Sequence, residues 1–386
     1  MRASHKAQRF TESVIREMTR VCNREGGVNL AQGFPDFPAP LAMKEAAKRA
    51  LDADKNQYAI TWGAPALRQA VARRAGQYNG IAVDPERGVT VCCGATEAMI
   101  AALLAVLDPG AEVIVFEPFY ENYGPDCLLS GATPRWVKLR APDWSFDPGE
   151  LAAAFGPRTR AIVVNTPHNP TGKVFTRAEL ESIAELCRAH DVLAITDEIY
   201  EYILYDGAEH VSLATLPGMA ERTITISGLS KTWSATGWRI GWCLASPELT
   251  LAIRKVHDFL TVGAPAPLQE AAAEALAFGP DYFEDLRRAY HERRDLLVPA
   301  LAELGFRVHE PRGAYYVMTE IDALARSDED DVAFAQRLVR EGGVAGVPGS
   351  SFFHEPADGR RMLRFCFAKK RETLERAVAV LQRRLA

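Results

Sequence analysis

The chain has 386 residues, 48% hydrophobic and 25% charged, a balance ordinary for a folded globular protein of about two or three domains. Its net charge of -5 offers no general attraction to nucleic acid or to an anionic membrane, and no apolar run approaches the roughly 20 residues that span a bilayer. Met1 to Phe10 lacks the apolar core of a secretion signal, and the seven cysteines are scattered without a Cys-x-x-Cys pair, so reduced thiols in a cytoplasmic chain and no metal site are expected.

Near the N-terminus, Val14, Ile15, Met18, Val21 and Cys22 recur at helical spacing, and the pattern ends at Gly26-Gly27. Leu30 to Pro38 is punctuated by glycine and proline and predicts a loop. Helices are predicted from Met43 to Ala53 and from near Pro65, with Asn56-Gln57-Tyr58 between them.

From about residue 88 to 245, short apolar strands alternate with helical stretches, the pattern of βαβ units on a parallel sheet. The predicted strands are Val89–Cys93, Val113–Phe116, Ala161–Val164, Val192–Thr196 and Thr223–Ile226. Thr176 and Glu179 have capping-box spacing ahead of Leu180, Ile183, Ala184 and Cys187. Ligands of open α/β sheets bind beyond the carboxyl ends of the strands. Here those ends carry Gly94-Ala95-Thr96, Glu117-Pro118-Phe119-Tyr120, Asn165 to Gly172, Asp197-Glu198-Ile199-Tyr200 and the loop around Lys231.

Lys231 stands just past a strand end among small and hydroxylic residues, with Arg239 eight positions on. An amine so placed can form a Schiff base with an aldehyde cofactor, while hydroxyls and a guanidinium hold its phosphate; a solvated loop lysine is the bland alternative. Asp197 ends an apolar strand, where an unpaired carboxylate is costly. Arg364 sits in another apolar strand and needs a partner. No G-x-G-x-x-G follows the first strand, which argues against a nicotinamide dehydrogenase.

Beyond about residue 270, a long helical region broken at Gly279-Pro280 leads to short strands (Phe306–Val308, Tyr315–Met318, Met362–Phe367) and a terminal helix, Glu372 to Leu385. The expected division is a large α/β domain over 41-270 and a smaller α+β domain built from 1-40 and 271-386.

Taken together, Gly33-Phe34-Pro35-Asp36, Asn56-Gln57-Tyr58, Gly94-Ala95-Thr96, Asn169-Pro170-Thr171-Gly172, Asp197-Glu198-Ile199-Tyr200, Ser230-Lys231, Thr236-Gly237-Trp238-Arg239 and Arg364-Phe365-Cys366-Phe367 make the chain, over essentially its whole length, resemble the fold-type I pyridoxal-phosphate aminotransferases of class I/II, the group with kynurenine, glutamine, methionine and aspartate aminotransferases. The resemblance implies pyridoxal 5′-phosphate on Lys231, which also shuttles a proton, and amino transfer between an L-amino acid and a 2-oxo acid. It assigns Asp197 to the pyridine nitrogen, Tyr200 and Asn169 to the phenolate oxygen, and Gly94, Ala95, Thr96, Ser230 and Arg239 to the phosphate. Many relatives have a serine three residues before the lysine, where this chain has Gly228, so Ser227 or Ser230 must supply that hydroxyl, with Ser230 preferred.

The same resemblance gives Tyr120 a place against the ring, although a core tyrosine explains it nearly as well, and gives Gly33 and Arg364 the substrate carboxylate. Tyr58 would reach the neighbouring subunit's phosphate, which implies a homodimer with shared sites. Phe34, Phe37, Phe259 and Phe352 lie in segments that border the substrate in relatives, and Thr96 replaces a lysine of one aspartate-using branch. A neutral, aromatic or sulfur-containing donor is therefore favoured, with aspartate transamination or cysteine-conjugate β-elimination as alternatives. His168 and His257 receive no role, and Trp238 is expected in the core.

Overall fold

A computed structural model describes Ser4 and residues 6–385; residues 1–3, 5 and 386, within the expected domain spans, lie outside the described residues. Its largest sheet has eight strands in the order Val89–Cys92, Gly241–Leu244, Thr223–Gly228, Leu193–Asp197, Thr159–Asn165, Glu112–Glu117, Thr133–Arg140 and Ser145–Phe146. The four strands from Thr223–Gly228 to Glu112–Glu117 pair in parallel and are buried almost throughout, because helices cover both faces. Gly241–Leu244 runs antiparallel to both of its neighbours.

All five predicted strands are present, within a residue or two of their expected ends. Thr133–Arg140 was not expected: its partly exposed pattern, with charges at Arg135, Lys138 and Arg140, lacks a continuous apolar run. The capping box forms as predicted, with Thr176 N–H donating to Glu179 Oε2 at 2.8 Å and Glu179 N–H to Thr176 Oγ1 at 3.2 Å.

A second, antiparallel sheet contains Arg307–His309, Tyr316–Glu320, Met362–Cys366 and Val347–Pro348. The N-terminal helix Val14–Glu25 is capped by Ser13 and ends at Gly26, whose φ of 66° suits glycine. Val28–Asn29 then pairs in parallel with Val344–Ala345, and Cys366 N–H donates to Leu30 O at 2.8 Å. These bonds bring Leu30 and Ala31 alongside strand Met362–Cys366, while Asp36 accepts from Lys370 N–H and the Thr373 hydroxyl just beyond it.

The helix containing residue 271 is continuous from Ala266 to Ala275, and it shares a core with Met43, Ala46 and Ala47 of helix Leu41–Asp52. The following helix, Pro280–Glu303, places Phe283 in that core and Leu297 and Leu301 in the core beneath the second sheet, so it bridges the two regions.

Candidate active site

The strand ends and the N-terminal loop enclose one cavity, whose lining includes Gly33, Ala95, Thr96, Tyr120, Asn169, Asp197, Tyr200, Ser230, Lys231 and Arg239. Residues far apart in sequence meet there because the parallel strands all end on one side. Lys231 is half-buried, its amine 3.2 Å from the Gly33 carbonyl oxygen. Burial without a close carboxylate lowers its pKa to about 8. The amine is thus far more often neutral, and nucleophilic, than that of a surface lysine.

Asp197 ends its strand buried. Its Oδ2 accepts from the Tyr123 hydroxyl at 2.7 Å and its Oδ1 from Ile199 N–H at 3.3 Å. Burial raises its pKa while these donors and Lys231 oppose the rise. Tyr123 was missed in the sequence: it lies three residues past the motif tyrosine, and only the turn of helix Tyr123–Leu129 aims it at Asp197.

At the opposite end, Gly94 has φ 85° and precedes helix Ala95–Val106, which no side chain caps. A Cβ at Gly94 would stand 2.5 Å from Arg239 Nη2, so only glycine lets that guanidinium close over the turn. The open N–H groups of the first helical turn, with Arg239 beside them, form a seat for an anion. Ser230 lines this cavity, whereas Ser227 donates to Glu201 Oε1 at 2.7 Å. A Cβ at Gly228 would meet Ile240 O at 2.8 Å, which explains why no serine occupies that position.

Arg364 is fully buried on the strand behind Asn169. It donates to Asn169 Oδ1 at 2.7 Å and Ala31 O at 2.9 Å, while its Nε has no hydrogen-bond partner. The guanidinium lies over the rings of Tyr316 and Phe352, at 4.2 and 4.9 Å. A buried cation with no carboxylate partner among the described residues fits an anionic ligand. Tyr200 O–H lies 3.1 Å from Tyr316 O–H, and Tyr315 donates to Gly33 O at 2.9 Å.

Several expected residues fall elsewhere. Tyr58 is 85% exposed and Phe259 92%, and neither lines the cavity. Phe37 packs against Tyr290 and Arg293, while Phe34 does line the cavity. Trp238 only borders the core; Trp233 is the fully buried indole. His168 is buried against Thr171 and its pKa falls to about 3, mainly through burial. His257 bridges Glu97 and the Thr61 carbonyl. Two His/Cys/Glu clusters, Cys92-Glu97-His257 and Glu198-Glu201-His210, lie close enough to hold a metal, but most of their polar atoms are engaged by hydrogen bonds within the protein.

A half-buried lysine, a buried carboxylate and an anion seat at the carboxyl ends of a mostly parallel sheet, with an arginine without an ion pair on the second sheet behind Asn169, suit an α/β enzyme built around a phosphate-bearing cofactor. Residues 25–381 match the family described as aminotransferase class I and II. The chain is 40% identical over 381 residues to the probable N-succinyldiaminopimelate aminotransferase DapC of Mycobacterium tuberculosis, covering 96% of this chain and 95% of that one. The solved structure of the N-succinyldiaminopimelate aminotransferase from that organism superposes with a TM-score of 0.96 at 38% identity, covering 100% of both chains. Human kynurenine--oxoglutarate transaminase 1 is 38% identical over 93% of this chain and 92% of its own. The methionine aminotransferase of Escherichia coli is 36% identical over 96% of this chain and 95% of its own. The chain belongs to the class I and II aminotransferases: it is a fold-type I enzyme that transfers an amino group between an amino acid and a 2-oxo acid, and the family's cofactor is pyridoxal 5′-phosphate.

Proposed function

We propose that this aminotransferase takes a neutral, aromatic or sulfur-containing L-amino acid as donor and works as a cytoplasmic homodimer. The observation that carries the donor class is the apolar part of the cavity wall, to which Ile15, Phe34 and Met99 contribute. Relatives named for kynurenine and methionine agree with it. A second reading, a donor with a second acidic group such as aspartate, is favoured by Arg16, an exposed arginine at the cavity mouth with no ion pair among the described residues. Exposed Tyr58, Ile60, Phe259 and Val262 lie on segments tied together by the His257–Thr61 hydrogen bond, and they suit a face for a second copy. Six of the seven free cysteines are buried, in keeping with a reducing compartment. No helix among the described residues is long and apolar enough to cross a membrane.

Pyridoxal phosphate supplies an aldehyde and a ring that withdraws electrons from the amino acid's α-carbon. We assign this chain's residues around it as follows. Ala95 and Thr96 N–H, Ser230 and Arg239 hold the phosphate, with Gly94 keeping the approach open and Tyr58 of a second copy completing the seat. Asp197, oriented by Tyr123, holds the proton on the ring nitrogen. Tyr200 and the Asn169 amide donate to the phenolate oxygen, and Tyr120 covers the ring. Arg364, steadied by Asn169, binds the donor's α-carboxylate beside Gly33. The Lys231 amine, once released, carries the α-proton as general base and acid.

The test is the visible spectrum of the purified protein, loaded with pyridoxal phosphate and then given single amino acids. Rapid bleaching by methionine, kynurenine or phenylalanine with a weak response to aspartate supports the first reading. Fast bleaching by aspartate would replace it with the second.

A further inference from the structure

One acid in the cavity has no part in this scheme. Asp126 lies on helix Tyr123–Leu129, three residues after Tyr123, so both side chains share a helical face and both line the cavity with Asp197. It is 6% exposed, and its Oδ2 has no hydrogen-bond partner. Among the described residues no side chain donates to its other oxygen, and no cation lies within ion-pair distance. A buried carboxylate so placed would be costly, but a carboxylic acid would not be. Burial alone raises its pKa to about 7, which accords with the neutral form.

The surrounding groups do not offer charge compensation. Tyr120 and Tyr123 flank it, Cys127 follows it, and Asp197 and Lys231 stand within the same cavity. Helix Ala95–Val106 contributes Ala95, Thr96 and Met99 to this wall, none of them titratable. On the strand beneath, Arg135 pairs with Glu112 and Lys138 with Asp358. Arg16 and Glu121 belong to the mouth.

We propose that Asp126 faces the bound cofactor as a neutral carboxylic acid, a second hydrogen-bonding acid in the wall that holds Tyr123 and Asp197. In this arrangement the wall presents one negative charge, that of Asp197, and Asp126 supplies a proton donor. The inference rests on the cofactor assignment above. It makes Asp126 a positioning residue for the cofactor.

The experiment is the infrared difference spectrum between the cofactor-loaded protein and the apoprotein, taken near pH 6. A protonated-carboxyl C=O feature should appear and move on 13C-aspartate labelling. It should be lost in Asp126→Asn and be displaced in Asp126→Glu, which keeps the acid and serves if the amide variant does not fold. A loaded protein without that feature, or one whose feature is unchanged in either variant, overturns the role of Asp126. Loading is read separately from the Lys231-dependent visible band, so failure of the cofactor assignment would show as loss of that band.

Discussion

The amine of Lys231 and the carbonyl oxygen of Gly33 lie 3.2 Å apart although 198 residues separate them in the chain. Gly33 belongs to the N-terminal loop held against the second sheet, and Lys231 follows a strand of the large sheet, so the site exists only when both regions are in place. The amine proposed as the cofactor's anchor is also the group assigned to proton transfer. Lys231→Ala should therefore abolish the visible band of the loaded protein and lower turnover by roughly 10³-fold or more. Spectrophotometry after reconstitution checks it; a normal band in the variant would sink the anchor assignment.

Gly33→Ala tests whether that loop must approach so closely. A Cβ at Gly33 would lie 1.9 Å from the Tyr316 hydroxyl, and Tyr316 is a buried, rigid ring. Its displacement would move its neighbour Tyr200 and the ring beneath Arg364. We expect a loss of about 1–3 kcal/mol in stability, as for other overpacked sites, and a raised KM for the amino acid. Denaturant melts and steady-state kinetics read the two effects, and an unaltered KM would separate Gly33 from the substrate end.

Much of this site was legible in the sequence because the sheet is parallel. Its strands are continuous apolar runs, and the segments just past them, with Ala95, Asn169, Asp197 and Lys231, line one cavity. Three features were not legible, for different physical reasons. Thr133–Arg140 has a partly exposed pattern, so it has no apolar run to find. Tyr123 acts across the cavity through a helical turn, and spacing along the chain does not report that. Phe259 is a large apolar side chain left exposed on helix Pro247–Thr261, so its exposure could not be read from hydrophobicity.

Tyr123 is the positioning residue for Asp197. A hydrogen bond to a charged group contributes about 1.5–3 kcal/mol, and Tyr123→Phe removes one from a buried carboxylate. Cofactor dissociation should become about 10- to 100-fold easier, with the carboxyl's pKa rising further, since its strongest opposing donor is gone. Fluorescence titration of the apoprotein with pyridoxal phosphate measures it. Wild-type affinity in the variant would show that Ile199 N–H alone orients Asp197.

Arg364→Lys keeps the charge but loses the planar fork that reaches Asn169 Oδ1 and Ala31 O together. The cofactor spectrum should be unchanged, while kcat/KM for the amino donor falls by about 100-fold, most of it in KM, as expected when bidentate binding of a carboxylate is lost. An altered spectrum with a normal KM would move Arg364 from the substrate to the cofactor.

The pH dependence of cofactor capture follows from Lys231. Its pKa is lowered to about 8 because burial penalises the charged amine, so the neutral, attacking form is favoured by the fold. Below that value the reactive fraction grows about tenfold per pH unit; above it the fraction saturates. At pH 7 roughly one amine in ten is neutral, against about one in several thousand for an ordinary lysine. Stopped-flow capture of pyridoxal phosphate by the apoprotein should thus accelerate up to about pH 8 and then level off. A rate still climbing tenfold per unit beyond about pH 9 would mean that the amine is solvated and titrates as an ordinary lysine.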